Sequence, residues 1–106
     1  MQIFRLEDMI RGWYIGNFTP AVYKTEMCEV AVKKYQAGDR ECRHIHKCAD
    51  EVTLVLSGSI QMNDHILYDG DIIVIYKNMP CIFKAITDSI TVVFKSSSIK
   101  GDKYEV

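Results

Sequence analysis

The chain has 106 residues, enough for one domain with a modest core and too few for two. Hydrophobic residues make up 48% and charged residues 25%, and the formal net charge is −1 with Lys and Arg scattered, which excludes the footprint of nucleic acid or an anionic membrane surface. No apolar run approaches the roughly 20 residues needed to cross a bilayer, and MQIFRLEDMIRGW lacks the basic-then-apolar layout of a secretion signal, so a cytosolic protein is expected.

In chain order, Leu6, Met9, Ile10 and Trp13 fall at helical spacing and predict a short N-terminal helical turn; an irregular strand covering the barrel fits as well. Beyond residue 28 the pattern is short strand, then turn. EVAVKKYQ (29–36) alternates and is broken by AGD; VTLVLS (52–57) is rich in β-branched residues and closes on Gly58. SIQMND (59–64) turns at Asn63-Asp64, HILY (65–68) returns, and Asp69-Gly70 is another hairpin signal. DIIVIY (71–76) is a continuous apolar run, read as a deeply buried strand; CIFKAI (81–86) and ITVVFK (90–95) complete the series. The polar tail SSSIKGDKYEV is expected on the surface. Strands about five residues long, punctuated every eight to twelve, describe an all-β sandwich or closed barrel in a single domain, 1–106.

The chemistry concentrates in AGDRECRHIHKCADEVTLVLSG (37–58). Side chains alternate along a strand, so His44 and His46 share a face and form a two-imidazole pincer. Glu51 opens the next strand and is expected to bring a carboxylate from the neighbouring strand. Two histidines and a carboxylate with open positions is the donor set associated with non-heme Fe(II). Cys42, His44, His46 and Cys48 also alternate, but over an extended strand the two cysteines lie roughly 20 Å apart, too far to share a zinc ion. Taken alone, His-x-His is more often a solvated or structural pair. The four cysteines (Cys28, Cys42, Cys48, Cys81) form no CxxC and are read as free thiols. His65 is expected to be exposed after its turn. Tyr35, Met62 and Phe83 are placed where they can line a barrel interior.

The spacing of these residues resembles the cupin superfamily. Its first motif, G-x5-HxH-x3or4-E-x6-G, is matched by Gly38, His44, His46, Glu51 and Gly58. In the second, G-x5-P-x-G-x2-H-x3-N, Gly70 is kept, while Tyr76, Asn78, Cys81 and Ala85 stand at the proline, glycine, histidine and asparagine positions. Asn at the glycine position suits a turn with positive φ. The resemblance implies a cupin-type β-barrel (a double-stranded β-helix, jelly-roll-like) holding one divalent metal ion, Fe(II), Mn, Ni or Zn. It implies His44, His46 and Glu51 as ligands, with Cys81 at the fourth place: a thiolate ligand, an unbound neighbour, or part of a site that holds no metal.

A metal-binding cupin acting on or binding a small organic molecule is expected, with dioxygenase-like or isomerase-like chemistry at the metal if it is catalytic. The competing class is a non-catalytic ligand-binding or sensing barrel with a degenerate or empty metal site. The partners expected are a small-molecule ligand and a second copy in a homodimer, formed by covering edge strands or exchanging the N-terminal segment; no nucleic acid and no membrane are expected.

Overall fold

Alternation over short runs separated by glycine and Asx turns commits most of the chain to strands. The computed structural model, which describes residues 1–106, contains ten: β1 (Trp13–Ile15), β2 (Glu29–Tyr35), β3 (Arg40–His46), β4 (Glu51–Ser57), β5 (Ser59–Met62), β6 (His65–Tyr68), β7 (Ile72–Ile75), β8 (Cys81–Ala85), β9 (Ser89–Lys95) and β10 (Lys103–Glu105). They form two five-stranded sheets, a first in the order β1-β2-β9-β4-β7 and a second in the order β10-β3-β8-β5-β6. Every ladder between these strands is antiparallel. The predicted all-β architecture and the strand boundaries read from the turn residues agree with it.

Apart from the β1–β2 and β5–β6 pairs, successive strands alternate between the sheets, so the connections decide the packing. Gly58, with φ 93°, carries the chain from β4 in the first sheet to β5 in the second, and a Cβ there would lie 2.3 Å from the carbonyl oxygen of Asp88. Only glycine meets both conditions. Asn78 has φ 67°, the positive value its place in the loop before β8 suggested.

The two inner faces meet in a core of Val55, Ile60, Met62, Ile75, Cys81, Phe83 and Ala85, with Tyr35, Leu67 and Ile73 against it. Toward the other end the inward positions turn polar: Glu51 and Thr53 on β4, Thr91 and Lys95 on β9, His44 and His46 on β3, all bordering one cavity. The barrel is therefore plugged at one end and open at the other.

The expected short N-terminal helical turn is present as a single 3-10 turn, Leu6–Asp8, that buries none of its residues. Two expectations need correction. DIIVIY is not deeply buried: β7 is the outer strand of the first sheet, with Ile72 62% and Tyr76 61% exposed and only Ile75 buried. The polar tail is structural: Ser98 and Asp102 are buried, and β10 pairs with β3 through Lys103–His46, Tyr104–Ile45 and Glu105–His44.

Asp102 explains the tail's hold. Its carboxylate accepts hydrogen bonds from the backbone N–H groups of Lys47 (2.9 Å), Cys48 (2.8 Å) and Ala49 (3.1 Å). Burial raises its pKa, but the bonds from Cys48, Lys47 and Ala49 outweigh that and hold it below the usual range. Asp102→Ala strands these donors, each worth roughly 1–3 kcal/mol when left unpaired. A loss of about 3 kcal/mol in chemical denaturation is expected; a change below about 0.5 kcal/mol would show that the carboxylate is dispensable.

Candidate functional site

Strand alternation alone aims His44 and His46 into the barrel, and both are buried there. A β-bulge decides what joins them. Glu41 pairs with Phe83 and His44 with Cys81, so three steps on β3 match two on β8. The extra residue leaves Cys42 and Arg43 both exposed and brings Glu41 and His44 to the same cavity wall although they are three residues apart. Counting by twos puts Glu41 on the outside, which is why the sequence reading missed it. A bulge has no dependable sequence signal here.

Glu51 comes from β4, which belongs to the facing sheet and not to the strand beside β3. This corrects the expectation of a neighbouring-strand carboxylate. The turn after His46 crosses between the sheets, and His44, His46 and Glu51 border the same cavity of about 590 Å³ with Tyr35, Glu41 and Thr53.

Hydrogen bonding sets the tautomer of His44. Its Nδ1 lies 2.8 Å from the carbonyl oxygen of Cys42, which can only accept, so Nδ1 carries the proton and Nε2 keeps its lone pair. Nε2 of His46 is buried without a partner, as is the hydroxyl of Thr91 on the opposite wall. The two imidazole centroids are 5.0 Å apart with planes at 80°. An ion about 2.1 Å from each Nε2 lies roughly 3.2 Å from each ring centre, which puts the rings of two ligands about 4.6–5.3 Å apart at tetrahedral-to-octahedral angles. The separation of the two rings falls within that range. Nowhere, however, do three His, Cys, Asp or Glu side chains gather closely enough to hold one as they stand. Glu51 shares the cavity with the imidazoles without closing on their common point.

The electrostatics follow from depth. Burial, then Lys95 and then His44, push the His46 pKa from 6.5 down to about 4, so its ring is neutral at physiological pH. Burial raises Glu51, Lys95 opposes, and the Glu41 carboxylate adds to the rise; the Thr53 hydroxyl donates to it at 3.4 Å. Tyr35 donates its hydroxyl to Glu41 at 3.2 Å, and burial with that negative neighbour holds the phenol well above its ordinary value. Lys33 is lowered chiefly by burial, with Glu41 opposing and Arg11, Lys103 and Lys95 reinforcing. The ion pairs of the structure are Arg5–Glu7 and Lys95–Glu29, so Arg11, Lys33 and Lys103 face the cavity without a carboxylate partner.

Cys81 stands across from His44 in register, yet its thiol donates to the Met62 sulfur at 3.4 Å within the apolar core, and burial pushes its pKa up to about 11. It is not among the residues bordering the cavity. Cys42 and Cys48 are exposed, and all four thiols are free. His65 is exposed, while Tyr35, Met62 and Phe83 border the cavity.

Because the folded pKa of His46 is depressed, the unfolded chain binds more protons between pH 6.5 and 4, and the stability held by neutral His46 is full above that window and lost as the pH falls through it. Glu51, raised by burial, acts in the opposite sense from its ordinary value upward. An NMR titration separates the two: the His46 ring is expected to keep neutral shifts until about pH 4. A midpoint near 6.5 would mean that the ring is solvated.

No protein-family model matches the sequence, and no curated protein matches it. Solved structures do resemble it. One is an uncharacterised conserved protein with a double-stranded β-helix domain from Klebsiella pneumoniae, 19% identical with a TM-score of 0.70 over 94% of this chain and 88% of that one. A second is an RmlC-like cupin protein from Desulfovibrio desulfuricans, 21% identical, TM-score 0.62, covering 74% and 79%. A third is the DMSP lyase DddQ from Ruegeria pomeroyi, 17% identical, TM-score 0.72, covering 89% of this chain and 49% of the lyase, so the chain spans about half that enzyme's length. Two facing antiparallel sheets match these neighbours, and the chain has the double-stranded β-helix fold of the cupins.

Proposed function

We propose that the cavity is a metal-assisted binding site for a small organic acid, in which His44 and His46 are the fixed ligands of one divalent ion. Glu51 completes the set from the facing sheet by a side-chain rotation. The observation that carries this reading is the imidazole pair: rings 5.0 Å apart, one Nε2 left with its lone pair by the Cys42 carbonyl and the other buried without a partner. Imidazole and carboxylate donors suit Fe(II), Mn, Ni or Zn and do not choose among them. Such an ion supplies Lewis acidity toward a carbonyl or carboxylate oxygen, the starting point of both isomerase-like and dioxygenase-like chemistry. Cys81 stays outside the ligand set, since its thiol is engaged with Met62 and burial disfavours the thiolate.

The anionic character of the ligand rests on the cavity's own charges. Arg11, Lys33 and Lys103 lack carboxylate partners, and burial drives Glu51 toward its neutral form. Lys33, with its ammonium 5.6 Å from the Trp13 ring centre, orients a carboxylate near the mouth. Tyr35 donates its phenol hydrogen to Glu41 at the cavity wall, where a ligand oxygen can compete for it. The DMSP lyase among the fold neighbours takes a small molecule, which agrees with a cavity of this size. Four free thiols suit a reducing, cytosolic setting.

A second reading is favoured by one observation: three donors do not gather in the chain as it stands. On that reading the cavity binds its organic acid without an ion, and the orphaned His46 Nε2 and Thr91 hydroxyl meet the ligand directly.

Elemental analysis of protein purified without chelator separates the two. About one divalent ion per chain is expected, lost in His44→Ala/His46→Ala with the circular dichroism unchanged, and weakened about tenfold or more in Glu51→Gln. A metal-free protein that also fails to take up Fe(II), Mn, Ni or Zn on titration would sink the metal-assisted reading. Trp13 is the only tryptophan and borders the cavity, so its fluorescence reports occupancy. Titration with oxalate or glycolate is expected to change it, with Lys33→Gln weakening the response about tenfold, the worth of one charge-assisted hydrogen bond. A response that Lys33→Gln leaves untouched would remove the lysine from the site.

A further inference from the structure

Beside the cavity lies a groove of about 800 Å³, bordered by the segment before β1, the end of β2 and the start of β3. It exists because β1 is short. β1 pairs with β2 only at Val30 and Ala31, so the outer edge of β2 beyond Val32 has no strand beside it, and the chain from Phe4 to Gly12 passes along the gap without filling it. Gly12 pins that passage. Its carbonyl accepts from the N–H of Val32 at 3.1 Å, and with φ 82° a Cβ there would overlap the Val32 carbonyl oxygen. Only glycine fits. Arg11 before it is also left-handed, with φ 51°, which is uncommon for any residue other than Gly, Asn or Asp. This backbone fixes an arginine where groove and cavity share a wall: Arg11, Lys33, Tyr35, Arg40 and Glu41 border both. The charges of the groove are unbalanced. Lys34 and Arg40 are exposed there without a carboxylate partner, since the ion pairs of the structure are Arg5–Glu7 and Lys95–Glu29. The groove's other carboxylates are engaged: Asp39 accepts from the N–H of Gln36 at 2.8 Å, and Glu41 from the Tyr35 hydroxyl.

We infer that this groove is a second compartment of the binding site, and that the ligand is an elongated dicarboxylic acid lying across both. One carboxylate enters the cavity, and to that extent the inference rests on the organic-acid reading above. The other reaches the groove, where Lys34 and Arg40 hold it, Arg40 with a fork of donors that suits a carboxylate. Three observations favour a long two-headed acid over a short one-headed one. A cavity of about 590 Å³ is of the size that encloses drug-sized ligands, so oxalate or glycolate leaves most of it empty. Trp13, Met62, Phe83 and Val93 border it as well, and they suit a methylene chain better than they suit charge. The cations are divided between the two spaces: Lys103 borders the cavity alone, Lys34 the groove alone, and Arg11 and Lys33 the wall they share. A single carboxylate engages one of these groups; two carboxylates joined by a chain engage both.

Trp13 borders the cavity and not the groove, so its fluorescence reports the near end of a ligand while the affinity reports both ends. The test is a titration with unbranched diacids from succinate to suberate, each compared with the monoacid of equal length. At least one diacid is expected to bind about tenfold or more tightly than its monoacid, the worth of one charge-assisted hydrogen bond. In Lys34→Gln/Arg40→Gln, changed at two exposed positions, that ratio is expected to fall to about one with the circular dichroism unchanged. If the double variant fails to fold, Lys34→Gln and Arg40→Gln are read singly, and each lowers the ratio. Monoacids that bind as well as every diacid overturn the inference and leave the organic-acid reading standing. So does a diacid advantage that survives the loss of both cations, which would put the second carboxylate elsewhere. A wild type that responds to no acid at all removes the organic-acid reading and this inference with it.

Discussion

The cavity wall depends on a turn of four residues, 47–50, that carries the chain from one sheet to the other. Its backbone N–H groups point away from any ladder, and an unpaired buried amide is expensive. One carboxylate, Asp102, satisfies three of them, and the fourth, on Asp50, donates to the Ser96 hydroxyl. The Asp50 side chain in turn accepts from the N–H of Lys77, tying in the loop before β8. These bonds fix the turn that relates the histidine strand to Glu51, because β3 and β4 share no ladder. The C-terminal tail is thus part of the site: β10 flanks His44 and His46 by register, and Asp102 just before it holds the turn they lead into.

The histidines were legible because strand alternation is a local rule, and it held between residues 44 and 46. Glu41 was not, because the rule fails at the Cys42–Arg43 bulge and nothing in the side chains announces it. Glu51 was identified as a residue but assigned to the wrong layer. Sequence distance says that a turn intervenes after His46, not whether it returns beside the same strand or crosses to the facing sheet. The tail was misread for a different reason: its single decisive interaction spans more than fifty residues, from Asp102 to Lys47. A polar composition describes its exposed side chains correctly and misses the one carboxylate that is inside.

Depth along the barrel separates what the inward positions do. On β4 the inward sequence runs from polar to apolar as Glu51, Thr53, Val55, whereas β9 runs Lys95, Val93, Thr91, Ser89, with Thr91 level with Val55. The apolar end of β4 joins Ile60 and Phe83 in the core, while its polar end borders the cavity. Partial burial there does two things at once. It keeps His46 neutral, so its lone pair is available, and it disfavours the charged form of Glu51, so that carboxylate gains from any cation that arrives. Apolar residues at those positions would pack more stably; the orphaned His46 Nε2 and Thr91 hydroxyl instead lower stability, and their cost is recovered when a polar partner enters.

The β7 segment separates apolar pattern from burial. Its unbroken apolar run predicted burial on both faces, and the chain covers only one, at Ile73 and Ile75. An apolar run says that a strand favours burial, not that its own chain supplies the cover, and at the outer position of a five-stranded sheet β7 has a neighbour on one side alone. The same reasoning applies to β4 and β9, whose outward Val52, Leu54 and Val92 remain partly accessible though they lie mid-sheet. Those two strands carry Glu51 and Lys95 inward, so the same backbone lines the cavity on one face and presents an apolar surface on the other.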